Sequence, residues 1–245
     1  MEGRGERPLP LAFGAVAETY DRVRPRYFLP LLDRAQEVLE LEPAAHVLDL
    51  GAGTGRLTRE LVRRFSSVVA VEPDAEMRRL LAVGTVLAGS AEAIPLDDAS
   101  VDAVFVGEAF HWFEADHAIA EIARVLRARG GLAIIWTHWW ETEPALSEAV
   151  LKMLREPLDR TSDQRRPRWD AAFADSPFEP LRCERFEESI TVDGDTLLEL
   201  YSTTSALAAL ESRERTALLA AVRTHLAGPY RLPIKHELSW TRLPA

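Results

Sequence analysis

The chain has 245 residues, 47% of them hydrophobic, and a formal net charge of −10. That length and apolar content suffice for a domain with a sizeable core, and the negative charge argues against a nucleic-acid partner, which would require a basic stripe on the surface. The single cysteine, Cys183, excludes an intramolecular disulfide and a cysteine-based metal cluster, and we expect no metal site. Because the sequence has neither a long apolar run nor a hydrophobic signal core, we expect a cytoplasmic protein with no membrane contact.

Predicted helices and strands alternate along the chain. After an N-terminal segment rich in Gly, Arg and Pro, the first long apolar pattern predicts a helix that ends before Pro43. The helix is predicted over residues 27–41, and strands are predicted over 46–50, 68–71, 86–88, 101–106 and 132–136, the last entered through Gly130-Gly131, and later over 185–192 and 234–242. Helical patterns fill the intervals. This alternation predicts an α/β fold with a doubly wound, mostly parallel sheet of seven strands.

A glycine-rich loop follows the first predicted strand. The run Gly51-Ala52-Gly53-Thr54-Gly55 carries three alternating glycines. Only glycine tolerates both a turn with positive φ and the close approach of a ligand to the backbone. A helix predicted to begin at the third glycine would direct its first N–H groups toward whatever lies over the loop. The run therefore predicts a cradle for a nucleoside cofactor.

Two carboxylates beside this loop indicate the class of cofactor. Glu72 ends the second predicted strand, where a carboxylate can accept both hydroxyl hydrogens of a ribose. Asp49, two residues before the first glycine, can brace the loop and attract an ammonium group. A dinucleotide fingerprint, G-x-G-x-x-G, would need glycine where the chain has Arg56. The pattern therefore favours S-adenosylmethionine, with an NAD-dependent oxidoreductase and a non-catalytic nucleotide-binding protein as alternatives.

Further segments, in order and at these intervals, carry a resemblance to a known family. Besides the cradle and Glu72, they are residues 13–25 as a cofactor-closing segment, 90–96 as an adenine loop, and 102–113 as the fourth strand and its following loop. Over residues 13–136 the chain resembles the class I S-adenosylmethionine-dependent methyltransferases, small-molecule branch (methyltransferase type 11-like). The resemblance implies a Rossmann-like sheet ending in an antiparallel hairpin. It also implies in-line transfer of a methyl group from S-adenosylmethionine to a small-molecule acceptor, with S-adenosylhomocysteine as product.

The adenine loop offers its own candidate contacts. An adenine needs an acceptor for its exocyclic amine, a donor for a ring nitrogen, and apolar surfaces above and below the ring. By the family pattern, Glu92 and the backbone of Ala91 are the nearest candidates, but Ser90 replaces the usual aspartate, so either Ser90 or Glu92 could make the amine contact. Pro73 and Met77 would supply one apolar surface. The alternative is a solvated loop that Ile94 and Leu96 anchor.

The methionine end of the cofactor is expected at the end of the fourth predicted strand. There the backbone of Glu108 or Ala109 can accept a hydrogen from the ammonium group. Tyr20, Arg24 and Arg26 of the N-terminal segment are candidates for its carboxylate, since the guanidinium fork suits a carboxylate. The alternatives are that Tyr20 only packs a helix against the sheet and that Arg24 is a solvated surface charge.

The acceptor is expected beside His111 and Trp112. Methyl transfer from a sulfonium depends largely on alignment and water exclusion, so a strong base is optional. His111 is the candidate catalytic residue, as a general base toward a hydroxyl or a carbon acid. It could instead orient a carboxylate or a thiolate, or be a packing residue.

One methyltransferase domain is predicted over residues 1–245, as a monomer or a homodimer. We divide it into an N-terminal helical lid (1–42), a cofactor-binding core (43–136), a helical insertion over the substrate side (137–184) and the C-terminal part of the sheet (185–245). The lid is expected to fold over the methionine end of the cofactor, with Tyr20 in contact. Trp139, Trp140 and Trp169 are candidate pocket walls in the insertion.

Overall fold

The computed structural model describes residues 16–139, 147–159 and 169–245. The chain divides into two compact units, which we treat separately. The larger unit comprises Arg26–His138, Arg166–Glu187 and Lys235–Ala245, and the smaller unit comprises Met1–Pro25, Trp139–Arg165 and Glu188–Ile234. No helix in the described residues is long and apolar enough to cross a membrane.

The described elements alternate much as the sequence predicts. The strands are β1 (His46–Leu50), β2 (Ser67–Val71), β3 (Thr85–Leu87), β4 (Val101–Gly107), β5 (Leu126–His138), β6 (Arg182–Val192) and β7 (Tyr230–Arg242). The helices are α1 (Ala17–Val23), α2 (Leu29–Val38), α3 (Arg56–Leu61), α4 (Ala75–Leu80), α5 (Ala115–Val125), α6 (Glu148–Asp159), α7 (Trp169–Ala174), α8 (Gly194–Ser202), α9 (Ser205–Ala208) and α10 (Ser212–Arg223). A short 3-10 turn, Phe110–Trp112, lies between β4 and α5.

The strands form one seven-stranded sheet in the order β3-β2-β1-β4-β5-β7-β6. Pairs β1–β2, β1–β4, β2–β3 and β4–β5 are parallel, and β7 runs antiparallel to β5. The predicted doubly wound, mostly parallel sheet is thereby confirmed. The expected terminal hairpin is wrong, because α8, α9 and α10 lie between β6 and β7 in the chain.

Strand β5 and helix α2 differ most in extent from their predictions, while the other strands begin or end within four residues of the predicted bounds. Strand β5 begins at Leu126, because that residue pairs with Val101 before the register shifts and Gly131 pairs with Ala103. The glycine pair therefore lies inside the strand. Helix α2 is shorter than predicted and gives way to Glu40 at a left-handed φ of 54°.

Both faces of the sheet in the larger unit are buried, as a parallel sheet requires. Alternate residues of β5 serve the two faces: Ile134 and Trp136 pack with α5, whereas Ala133 and Ile135 pack with α2 and α3. Because β2, β1 and β4 are neighbouring parallel strands, their carboxyl ends lie side by side at one edge of the sheet. Open α/β sheets bind ligands at this edge.

The smaller unit holds α1 against α8. Arg22 makes a two-pronged ion pair with Glu199, at 2.6 and 3.0 Å. The Arg24 guanidinium donates to the hydroxyl and the carbonyl of Thr203, at 2.9 and 2.7 Å. The interpretation of Arg24 as a solvated surface charge is therefore wrong, because its guanidinium is bound within its own unit.

The candidate pocket walls have different outcomes. Trp139 is 1% exposed and packs edge-on against Tyr201 in the apolar cluster of the smaller unit, so it is a core side chain there. Trp140 lies outside the described residues. Trp169 begins α7, and its side chain is likewise outside the described part.

Candidate active site

The loop after β1 takes the strained backbone that its glycines permit. Gly51, Gly53 and Gly55 have φ of 71°, 58° and 81°, all in the left-handed region. At Gly51 a Cβ would lie 2.7 Å from the Cβ of Ala109, and at Gly55 it would lie 2.7 Å from Cγ of Leu81. The first and third glycines are therefore required by close packing as well as by backbone conformation.

The middle glycine is less crowded by the described residues. Among them, a Cβ at Gly53 would meet the terminal methyl of Met77 alone, at 3.8 Å. The neighbouring Ala52 and Thr54 are buried. The backbone of Gly53 is therefore accessible to a ligand, and Met77 is its apolar neighbour. Pro73, which was predicted to supply the same apolar surface as Met77, is exposed.

Glu72, which follows β2, ties this loop to the next one. Its carboxylate accepts the backbone N–H of Gly53 and that of Asp74, both at 2.8 Å. A carboxylate has about four lone-pair directions, so two acceptor positions remain for ribose hydroxyls. Burial raises the pKa of Glu72, although the two N–H bonds oppose this. Asp74 in turn caps α4 by accepting the N–H groups of Glu76 and Met77.

Asp49 is a buried acid with one oxygen engaged. Its Oδ2 accepts a hydrogen bond from the hydroxyl of Thr58 on α3 at 2.6 Å, which joins the end of β1 to the helix that follows the loop. Its Oδ1 is buried and has no hydrogen-bond partner among the described residues. Burial raises the pKa of Asp49 to about 7, and the negative charge of Glu72 adds to the shift. A cation nearby would stabilise this carboxylate, so the pair of acids fits a ligand carrying both an ammonium group and a diol.

The predicted adenine loop has contacts within itself and to the residue before α5. The N–H of Ala93 donates to the carbonyl of Ser90 at 3.3 Å, and Ala91 is buried. Glu92 accepts the N–H of Glu114, the residue before α5, at 3.0 Å. One Glu92 oxygen is therefore already engaged, and the adenine contacts of Ser90, Ala91 and Glu92 stay predictions.

The end of β4 meets the glycine loop. Glu108 has a left-handed φ of 58°, and its N–H donates to the carbonyl of Ile135 at 3.0 Å. The next residue, Ala109, is the one that packs on Gly51. The structure therefore brings Asp49, the glycine loop, Glu72 and the Glu108–Ala109 backbone to one edge of the sheet.

Two predicted cofactor residues lie in the smaller unit. The Arg24 guanidinium sits 4.8 Å from the ring centre of Tyr20. Residues 1–15, which include the start of the expected lid, lie outside the described residues. The cofactor contacts of Tyr20 and Arg24, and the lid itself, stay predictions. Arg26, which belongs to the larger unit, is exposed.

Tyr27, which the sequence analysis did not name as a candidate site residue, lies at the end of β4. Its hydroxyl lies directly against Gly107, the last residue of β4, where any Cβ would collide with it. The sequence interpretation used Tyr27 only as the start of a helix. Its place beside Arg26 in the N-terminal segment was the available signal.

His111 lies in an aromatic cluster beyond β4. Its ring centre is 4.4 Å from that of Trp112 and 4.5 Å from that of Trp136, which meets it edge-on. Its Nδ1 is buried with no hydrogen-bond partner in the part of the chain that the structure describes. Burial lowers the pKa of His111 to about 3, so the imidazole is neutral at physiological pH. Trp136, predicted only as a strand end, donates to His138 at 3.2 Å.

Comparisons with known proteins identify the family. Residues 48–134 match the family described as "Methyltransferase domain". An uncharacterized methyltransferase of Mycobacterium tuberculosis (strain H37Rv) is 38% identical over 227 residues, which cover 90% of this chain and 88% of the relative. The chain belongs to the class I S-adenosylmethionine-dependent methyltransferases. The resemblance seen in the sequence is thereby confirmed.

Solved methyltransferases share the fold of this methyltransferase. A proposed type II methyltransferase from Anaeromyxobacter dehalogenans is 27% identical, with a TM-score of 0.61, and the match covers 91% of this chain and 99% of that one. Phosphoethanolamine N-methyltransferase 2 of Haemonchus contortus, in complex with S-adenosyl-L-methionine, is 15% identical with a TM-score of 0.59. That match covers 99% of this chain and 59% of the other, and at such identity it shows the fold alone.

Proposed function

We propose that this methyltransferase binds S-adenosylmethionine at the edge formed by β1, β2 and β4 and methylates a small-molecule acceptor. The observation that carries the proposal is the pair of buried acids, Asp49 and Glu72, beside the open backbone of Gly53. Few ligands need a diol acceptor and an ammonium partner at once, and S-adenosylmethionine is one of them. A dinucleotide could also use Glu72 for its ribose, but its pyrophosphate would gain nothing from the buried Asp49.

Each residue has a distinct task in this proposal. Glu72 holds the ribose with its remaining lone pairs while it keeps the Gly53 loop in place. Asp49 stabilises the ammonium group electrostatically and braces α3 through Thr58. S-adenosylmethionine would supply an electrophilic methyl carbon. As the acceptor atom forms a bond to this carbon, the carbon–sulfur bond would break and its electron pair would stay on sulfur. The protein then has to align the acceptor and exclude water.

The aromatic cluster supports an acceptor role that involves no proton removal by His111. An imidazole whose pKa is about 3 is a poor general base near neutral pH. We therefore favour His111 as a neutral residue that orients or packs against the acceptor. A small-molecule acceptor is supported by the net charge of −10, which would repel a nucleic acid.

The first test is direct. We expect calorimetric titration to show binding of S-adenosylmethionine and S-adenosylhomocysteine but not of NAD. A panel of small carboxylic acids, phenols, quinone-like rings and amines, followed for S-adenosylhomocysteine formation, should contain at least one acceptor. Binding of NAD in place of S-adenosylmethionine would instead support an oxidoreductase. Binding with no turnover on any acceptor would favour a non-catalytic protein.

Asp49 is expected to make both the stability of the protein and its ligand affinity depend on pH. Its folded pKa, about 7, is above the unfolded value, so its contribution to stability is present at low pH and is lost as the pH rises through 7. A bound ammonium favours the carboxylate and displaces the proton. The affinity for S-adenosylhomocysteine should therefore rise on the order of tenfold between about pH 5.5 and about pH 7.5.

Asp49→Asn provides the matched comparison. Among the described residues, Thr58 and Glu72 interact with Asp49. The pKa of Glu72 is also raised, so its ionisation would add to the pH dependence in the same direction. The asparagine variant should bind more weakly near neutral pH and show a flatter pH profile. Calorimetry in buffers of different ionisation enthalpy would count the released protons. Equal slopes in wild type and variant would exclude Asp49 as the titrating group.

A further inference from the structure

The adenine loop, residues 90–96, is held from outside by one charged pair on α5. Arg124 lies in the last turn of that helix and donates to the carbonyl of Ile94 at 2.9 Å and to that of Leu96 at 2.8 Å. Its guanidinium also reaches the carboxylate of Asp98 at 2.8 Å. One side chain thus fixes three points along the chain that leads from β3 to β4.

Glu121 completes this arrangement one turn earlier on α5. Its carboxylate receives two hydrogen bonds from the Arg124 guanidinium, at 2.7 and 2.8 Å. The same carboxylate accepts the N–H of Ile94 at 2.9 Å. Glu121 and Arg124 therefore hold both the N–H and the carbonyl of Ile94, whose side chain is buried in the core.

The pair remains charged over the physiological pH range. Hydrogen bonding to Arg124 holds the pKa of Glu121 below its usual value, and the guanidinium pKa is raised by the same bond. Charge-assisted hydrogen bonds are stronger than neutral ones, and the guanidinium fork makes several of them at fixed angles. A loop held in this way is pre-formed before any ligand arrives, which reduces the ordering cost of binding.

We propose that the Glu121–Arg124 pair positions the adenine loop, so that it sets the affinity for the adenosine part of the cofactor without contacting the cofactor. The inference rests on the proposed function together with the sequence-based prediction that residues 90–92 contact the adenine of the cofactor. Arg124 is a positioning residue in this scheme. Its effect on affinity passes through Ile94 and Leu96, whose carbonyls it holds.

Arg124→Gln tests the inference, with S-adenosylhomocysteine and 5′-methylthioadenosine as ligands. Loss of several charge-assisted bonds to the loop should raise both dissociation constants by about tenfold. The two should change by the same factor, because both ligands carry adenosine and only the first carries the amino-acid end. Amide hydrogen exchange at residues 94–98 should become faster in the variant. Arg124→Lys keeps the charge but not the fork, so it should restore affinity only in part.

Arg127→Gln is the matched control. Arg127 pairs with Asp102 at 2.7 Å, and Asp102 accepts the N–H of His46, at the opposite edge of the sheet from the proposed site. This variant should keep both affinities and the exchange of residues 94–98.

Three outcomes would overturn the inference: wild-type affinities in a folded Arg124→Gln variant, equal losses in Arg127→Gln, or, where Arg124→Gln does not fold, wild-type affinities in Arg124→Lys. Failure of the wild-type protein to bind either ligand would instead overturn the proposed function.

Discussion

Gly53→Val is expected to abolish binding of S-adenosylhomocysteine while the sheet still folds. Gly53 has a φ of 58°, which a β-branched residue adopts at a cost of about 1–3 kcal/mol. Within the described residues a Cβ at Gly53 would meet Met77 alone, so the valine methyls would extend into the space proposed for the ligand. An affinity loss of at least about 100-fold, or roughly 2.7 kcal/mol, should appear in calorimetric titration. Circular dichroism should still show a cooperative unfolding transition.

Two further variants separate backbone strain from steric exclusion. Gly53→Ala adds a single carbon in the same left-handed conformation and should weaken binding less than valine does. Gly84→Ala places an alanine at another left-handed position, before β3, where φ is 76° and a Cβ would lie 3.0 Å from the carbonyl oxygen of Val68. It should lower the melting temperature but keep the affinity. Near-normal affinity in Gly53→Val would remove the glycine loop from the binding site.

Local patterns predicted the elements that depend on local chemistry. Strand β1 has the predicted bounds, 46–50, because a buried apolar run followed by glycines determines both ends. The left-handed loop and the two acids beside it could also be predicted, because the three glycines and the positions of Asp49 and Glu72 at the ends of apolar runs are local features of the sequence. The start of β5 is not, because Leu126 extends the strand only through its pairing with Val101 on β4.

The sequence also could not predict the properties of the site that depend on burial, such as the surroundings and the pKa of His111. The aromatic residues around His111 could be read in part, but Trp136 comes from β5 and meets the ring only in the folded protein. The choice between base and neutral residue depends on that burial, since desolvation alone lowers the pKa of His111. Tyr27 illustrates the same limit, because its contact with Gly107 joins the N-terminal segment to β4.

Glu72→Ala is expected to weaken binding of S-adenosylhomocysteine by about 1.5–3 kcal/mol, or roughly 10- to 150-fold. The variant loses charge-assisted contacts to the ribose. It also leaves the N–H groups of Gly53 and Asp74 without their present acceptor, which loosens the glycine loop and the start of α4. Glu72→Gln keeps one acceptor oxygen for these donors, so it should fall between wild type and alanine.

The direct ribose contact can be separated from the loop effect by changing the ligand. In wild type, 5′-methylthioadenosine should bind more tightly than its 2′-deoxy analogue, because the analogue lacks one of the hydroxyl groups that would donate a hydrogen bond to Glu72. In Glu72→Ala that preference should disappear, since a double-mutant cycle isolates the pairwise contact. Asp102→Ala removes another carboxylate that accepts a backbone N–H, from His46 at the opposite edge of the sheet, and should change neither affinity nor preference. If Glu72→Ala kept the full preference for the ribose ligand, Glu72 would only support the loop and the hydroxyls would need another acceptor.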